Sequence, residues 1–189
     1  MKNAAVLGAG TMGNGIAHVF AQSGYQVALF DVSEAALTRA VATIEKNLDR
    51  QVAKGTLSTA DKDAALSRIQ TVTSLEAAVS QADLVVEAAT ENEAVKMKIF
   101  EDLDRLAPAH CILASNTSSL SITRIAAATQ RPEQVIGMHF MNPVPVMKLV
   151  EIIRGFKTSD ATTDAVIRMS ESLGKIAISC NDYPGFVAN

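Results

Sequence analysis

Two ionisable residues sit in neighbouring apolar runs in a way that invites chemistry. His139 lies near the end of Val135 to Phe140 (VIGMHF), and Glu151 interrupts Leu149 to Ile153 (LVEII). A lone carboxylate is costly to bury, so Glu151 either points to water through strand alternation or has a partner. His139 is the candidate partner. A carboxylate on one imidazole nitrogen fixes the tautomer and raises the basicity of the other, which gives a general acid/base suited to neutral pH. The alternative is a pair of unconnected strand residues.

A base of this kind takes the proton of a hydroxyl when the carbon bearing it gives up a hydride, and the chain also carries a site for a hydride acceptor. Gly8, Gly10 and Gly13 fit the spacing G-x-G-x-x-G. In that spacing one glycine makes a tight turn, one lets the backbone approach a pyrophosphate, and one packs helix on strand. The pattern predicts a helix over Thr11 to Gln22, whose first N–H groups, at Thr11 and Met12, and positive dipole end face the phosphates. Asp31 ends the following strand, where a carboxylate accepts from ribose hydroxyls and repels a 2′-phosphate, so NAD(H) is expected rather than NADP(H). Three glycines can also be plain turn residues, and Asp31 a solvated strand-end acid or N-cap. A preceding strand, a following helix and a trailing acid within one β-turn-α-β unit favour the dinucleotide.

The elements that must position these groups follow in order. Ser33 caps a long helix from Glu34 to Lys54 that stops at Gly55, and a second helix follows at Ala60 to Ile69. Together they read as a helical hairpin inserted beside a nucleotide-binding core, carrying Lys46, Arg50, Lys54 and Lys62. These cations belong to a solvated face or grip an anionic substrate tail. Ala82 to Ala89 reads as a strand buried on both faces of a parallel sheet, broken by one glutamate. A helix from Ala94 to Leu106 comes next. Glu91 and Lys96 lie just past a strand's carboxyl end, where an open α/β sheet has its ligand crevice; otherwise they are a helix-end carboxylate and an exposed lysine. His110 to Ser115 is another strand, running into Asn116, Thr117, Ser118 and Ser119, which form a loop and N-cap or hold a substrate's polar atoms. The fold expected is α/β: a Rossmann-type, doubly wound, mainly parallel sheet.

Composition sets bounds on function. The chain has 189 residues and a formal net charge of −3, which suits one domain with a good core. Lysines and arginines are scattered, so a nucleic-acid footprint is not expected. No apolar run reaches the roughly 18 residues of a membrane span, and the first strand leaves no room for a targeting segment, so a cytoplasmic location is expected. Cys111 and Cys180 read as reduced thiols, without a metal site.

Several longer stretches carry a family likeness over the whole chain. GAGTMGNGIA, VVEAATENEAVKMKIF, ASNTSSLSI, GMHFMNPVPVMKLVEII and DYPGFVAN resemble the NAD-binding domain of the L-3-hydroxyacyl-CoA dehydrogenases, nearest their bacterial 3-hydroxybutyryl-CoA members. The resemblance implies NAD-dependent, reversible oxidation of an L-3-hydroxyacyl-CoA to the 3-oxoacyl-CoA, in fatty-acid or butanoate metabolism. It implies that His139 and Glu151 form the catalytic dyad, that Ser118 contacts the substrate oxygen, and that Asn189 positions the reacting end of the substrate. It further implies that Glu91, Lys96, Asn116 and Asn142 touch NAD, that the hairpin lies along the acyl-CoA with Lys54 near its phosphates, and that extra strands extend one sheet edge. Members of the family continue into an all-helical domain that closes the substrate site and makes a homodimer. The chain is therefore expected to be the cofactor-binding domain alone, weak or inactive by itself. Two alternatives stand beside this reading: another NAD-dependent hydroxyacid or sugar-acid dehydrogenase, and a noncatalytic dinucleotide-binding module.

Overall fold

The computed structural model describes residues 1–183, so Asn189 lies outside the described residues. The elements run β1 (Asn3–Leu7), α1 (Thr11–Gln22), β2 (Gln26–Phe30), α2 (Glu34–Ala53), α3 (Thr59–Ser67), β3 (Ile69–Val72), α4 (Leu75–Val79), β4 (Leu84–Glu87), α5 (Glu93–Leu106), β5 (Ile112–Ser115), α6 (Ile122–Ala126), β6 (Val135–Phe140), β7 (Leu149–Arg154), α7 (Asp160–Ser172) and β8 (Ile176–Asn181). Among the described residues one eight-stranded sheet has the order β3-β2-β1-β4-β5-β6-β7-β8. Strands β1 to β6 pair in parallel, β7 is antiparallel to β6, and β8 is parallel to β7. The first six strands thus have the doubly wound order, with chain direction across the sheet reversing between β1 and β4. Strands β7 and β8 are the expected edge extension.

The sheet is covered on both faces because its central strands are mostly apolar. β1, β4 and β5 are buried almost end to end, as expected for parallel strands between helix layers. On one face Ile16 and Phe20 of α1, Leu37, Ile44 and Leu48 of α2, and Val166 and Met169 of α7 pack on Val6, Leu29 and Ile152. On the other, Val79 of α4, Phe100 and Leu103 of α5, and Ile122 and Ile125 of α6 pack on Leu7, Val85 and Leu113. The apolar stripe of α2 recurs at helical spacing, which fixes the face it presents.

The helical hairpin is present as α2 and α3, and it forms the crossover from β2 to β3. Its second helix ends earlier than its pattern suggests, because Ile69 already pairs with Val27 as the start of β3. β3 and α4 were not expected. With four residues, two of them exposed, the edge strand β3 has neither length nor alternation to mark it.

Candidate active site

The crevice opens where strand order reverses, at the carboxyl ends of β1 and β4, and its floor is the glycine turn between β1 and α1. A Cβ on Gly13 would lie 1.7 Å from the Gly8 carbonyl oxygen, and Gly8 has φ +98° with the Ala88 carbonyl 2.7 Å from where its Cβ would be. Larger side chains are therefore excluded at both positions. A Cβ on Gly10, by contrast, would meet only open space. Gly10 is also the N-cap of α1 and gives it no side-chain hydrogen bond, whereas α2, α3, α4, α5, α6 and α7 each have a Ser or Asn cap. The first turn of α1 thus begins without a side-chain cap at a residue that borders open space, the setting in which a helix end takes an anion.

Beside this turn is a cleft of about 560 Å³ lined by Gly8, Gly10, Asp31, Val32, Ala36, Leu75, Ala89, Val95 and Ile99 among others. Its walls are apolar, and Asp31 stands at its edge. The Asp31 carboxylate accepts from Ala9 N at 2.8 Å and from Ser33 N at 2.9 Å. It ties the glycine turn to the start of α2 and keeps lone pairs for hydroxyl donors. An apolar slot, a carboxylate and an uncapped helix end match adenine, ribose and pyrophosphate in that order, so the residues present fit NAD.

Past the end of β4, Glu91 reaches across to the turn after β5. Its carboxylate accepts from Thr117 Oγ1 and Ser118 N, both at 2.7 Å, and from Ser118 Oγ at 3.1 Å. Partial burial works against its charge, but these donors and the Lys96 ammonium outweigh that effect and hold Glu91 below its ordinary value. A carboxylate with a depressed value keeps these contacts at neutral pH and gives them up only as pH falls through that value. Asn116 accepts from Phe140 N at 2.9 Å through Oδ1, which links the same turn to the residue after His139. Asn142 is exposed in the loop that follows β6.

His139 and Glu151 come together as the strand pairing requires. They are direct cross-strand partners in the antiparallel β6–β7 ladder, and His139 Nδ1 lies 2.8 Å from Glu151 Oε2. Glu151 is fully buried, so it does not point to water, and His139 is 9% exposed. The carboxylate claims Nδ1, which leaves proton transfer to Nε2. The loop after His139 is held from two sides. Val144 packs where Gly15 of α1 has no side chain, its Cβ 2.9 Å from where a Cβ on Gly15 would stand. The Lys175 ammonium donates to the Val144 and Met147 carbonyls at 2.5 and 2.7 Å.

Lys96 is buried, which sets aside the alternative of an exposed lysine. Its ammonium is bound to the Glu87 carboxylate and lies 3.1 Å from Ser115 Oγ, so its charge is already matched inside the protein. Glu87 and Ser115 were not singled out as site residues, although a glutamate in the apolar run before Ala88 demands a partner for the same reason as Glu151. In the hairpin, Lys62 is bound to Asp49, while Lys54 is the exposed C-cap of α2. Among the described residues no cluster of His, Cys, Asp or Glu could hold a metal ion, and no helix is long and apolar enough to cross a membrane.

Comparison with known proteins bears on this geometry directly. Residues 3–183 match the family model described as "3-hydroxyacyl-CoA dehydrogenase, NAD binding domain". The chain belongs to this family. NAD is accordingly its cofactor. The chain is 50% identical to 3-hydroxybutyryl-CoA dehydrogenase of Bradyrhizobium diazoefficiens, covering all of this chain and 64% of that protein. It is 46% identical to the human mitochondrial hydroxyacyl-coenzyme A dehydrogenase, again over its whole length and 62% of that protein. The crystal structure of (S)-3-hydroxybutyryl-CoA dehydrogenase from Ralstonia eutropha superposes with a TM-score of 0.97 at 49% identity, covering all of this chain and 66% of that one. The chain thus spans somewhat less than two thirds of the length of each of these relatives, and the family's cofactor-binding fold accounts for the crevice described here.

Proposed function

We propose that this chain carries the cofactor site and the acid/base dyad of an NAD-dependent L-3-hydroxyacyl-CoA dehydrogenase, with 3-hydroxybutyryl-CoA as substrate. The observation that carries the reading is the buried Glu151 carboxylate 2.8 Å from His139 Nδ1, on adjacent strands of the sheet that also carries the cofactor crevice. Bound NAD⁺ supplies the hydride acceptor. His139 takes the proton of the substrate hydroxyl at Nε2 as the C–H pair leaves as hydride, and Glu151 stabilises the imidazolium that results. The Ser118 hydroxyl, turning its single proton away from Glu91, donates to the oxygen as it becomes a carbonyl, and Asn189 is assigned to the same end of the substrate. In the reverse direction the imidazolium returns the proton.

Asp31 sets the preference for NAD over NADP in this reading. Lys54, at the tip of the hairpin, is assigned to the phosphates of the CoA. The helical segment expected of the family would close the substrate site and make the homodimer, and the reduced state of the free thiols Cys111 and Cys180 suits a cytoplasmic enzyme. The test is NADH oxidation with acetoacetyl-CoA, run on the 189-residue chain and on a chain extended to the length of its relatives. Turnover in the extended chain, with little in the shorter one, supports the reading. Turnover of a hydroxyacid lacking the thioester, with none of acetoacetyl-CoA, overturns the substrate assignment.

A further inference from the structure

We propose that Asp182 is a positioning residue for the reaction: it pins the far end of the loop that carries Ser118, and so fixes where the Ser118 hydroxyl meets the substrate oxygen. The inference rests on the reading above that gives Ser118 that oxygen, and it deepens the reading by assigning Asp182 and its partners Ser121 and Thr123.

The loop from Asn116 to Ser121 leaves β5 at the crevice and leads into α6. Its first half is held by Glu91, which accepts from Thr117 Oγ1 and Ser118 N, both at 2.7 Å. Thr117 Oγ1 in turn accepts from Leu120 N at 3.0 Å and Ser119 N at 3.3 Å. Thr117 to Leu120 is thus one hydrogen-bonded turn, tied together by its own side chain. The next residue, Ser121, caps α6 by accepting from Arg124 N at 3.3 Å. Asp182, the residue after β8, fastens this end: its Oδ2 accepts from Ser121 Oγ at 2.7 Å and from Thr123 N at 2.8 Å. Partial burial works against the charge of Asp182, but donors from Ser121, Thr123 and Ile122 N outweigh it and hold the carboxyl below its ordinary value. The tie is therefore intact at neutral pH.

Asp182 acts from a distance. Its N–H donates to the Arg154 carbonyl at 3.0 Å, and Arg154 lies three residues along β7 from Glu151, about 10 Å of extended chain. A serine cap starts α2, α4 and α7, and Ser121 supplies the same for α6. What Asp182 adds is a bond between that cap and the end of β8. Ser118 and Ser119 therefore sit between two carboxylate anchors, Glu91 on the β4 side and Asp182 on the β8 side. Releasing the second leaves the Ser118 turn held from one side. Misplacing a reacting group by about 1 Å costs on the order of a hundredfold, so a shift of about half that costs about tenfold.

The test is a double-mutant cycle in the chain extended to the length of its relatives, with D182A, S118A and S118A/D182A assayed by acetoacetyl-CoA-dependent NADH oxidation. D182A should lower kcat/KM for acetoacetyl-CoA about tenfold and leave NADH affinity within about twofold of the parent. S118A, which removes the donor itself, should cost about a hundredfold. In the S118A background D182A should cost less than about twofold more, because the group it positions is gone. A role in stability alone lowers the melting temperature and leaves kcat/KM of the folded enzyme unchanged, and that result overturns the proposal. So does a tenfold loss from D182A that persists in the S118A background. If D182A does not fold, D182N takes its place in the same cycle: a loss of about twofold or more that disappears with S118A supports the proposal, and any other result refutes it. If S118A itself keeps the parent's kcat/KM, the assignment of Ser118 to the substrate oxygen fails and the proposal falls with it, whereas parent-like D182A beside a damaged S118A overturns the proposal alone.

Discussion

Replacing Glu151 by glutamine keeps the shape of the dyad and removes its charge. The Nδ1 to Oε2 distance is 2.8 Å, which puts the two charge centres about 4 Å apart once the ring is protonated. At an effective dielectric constant of about 20 that attraction is about 4 kcal/mol. The amide returns about 1 kcal/mol as a neutral hydrogen bond, so about 3 kcal/mol of transition-state stabilisation is lost, roughly a hundredfold in kcat. Because Glu151 is fully buried and does not border the cofactor cleft, NADH affinity should stay within about twofold of the parent. The assay is acetoacetyl-CoA-dependent NADH oxidation in a chain extended to the length of its relatives, beside NADH titration of the same preparation. E151Q with near-normal kcat would refute the electrostatic role of Glu151. Equal losses in kcat and NADH affinity would show that the substitution had disturbed the crevice and not the dyad alone.

Cofactor choice and thiol reactivity give two further tests. NADPH should bind on the order of a hundredfold more weakly than NADH, since its 2′-phosphate would face the Asp31 carboxylate, and D31S should narrow that gap at least about tenfold; equal affinities in the parent would remove Asp31 from this role. Burial pushes the Cys111 thiol up to about 12, so iodoacetamide at pH 8 should label Cys180 first and reach Cys111 only on unfolding. Because the folded value of Cys111 is raised above that of the unfolded thiol, its contribution to stability is intact below about pH 8.5 and is lost as pH climbs toward the folded value. C111A should reduce that alkaline loss in a melting series, and native labelling of Cys111 at the rate of a free thiol would contradict the burial.

The dyad is legible in the sequence because burying a carboxylate in an apolar strand is costly enough to predict a partner, and LVEII offers Glu151 no local one. Glu87 obeys the same physics. It escapes notice because its partner, Lys96, sits on a helix, where a lysine ordinarily faces water, and only the packing of α5 on β4 and β5 turns that ammonium inward. The glycine turn is fully legible, since Gly8 and Gly13 are forced by contacts between neighbours in sequence and the adjoining strands. β3 is not, because an edge strand of four residues with two exposed gains its pairing from the sheet rather than from its own pattern. The cations of the hairpin show the opposite limit: their number suggests an anion grip, but the pairing of Lys62 with Asp49 depends on how α2 and α3 meet.

The central claim, that His139 drives hydride transfer from a 3-hydroxyacyl-CoA to NAD held in this crevice, is tested most directly by following the hydride. L-3-hydroxybutyryl-CoA deuterated at C3 is incubated with NAD⁺ and the extended chain, and the NADH formed is examined by mass spectrometry. The expected result is deuterium in the NADH, formed at least about a hundredfold more slowly by H139Q than by the parent, with NADH affinity of H139Q within about twofold of the parent. NADH that carries no deuterium, or deuterium transfer at the same rate in H139Q, would contradict the account.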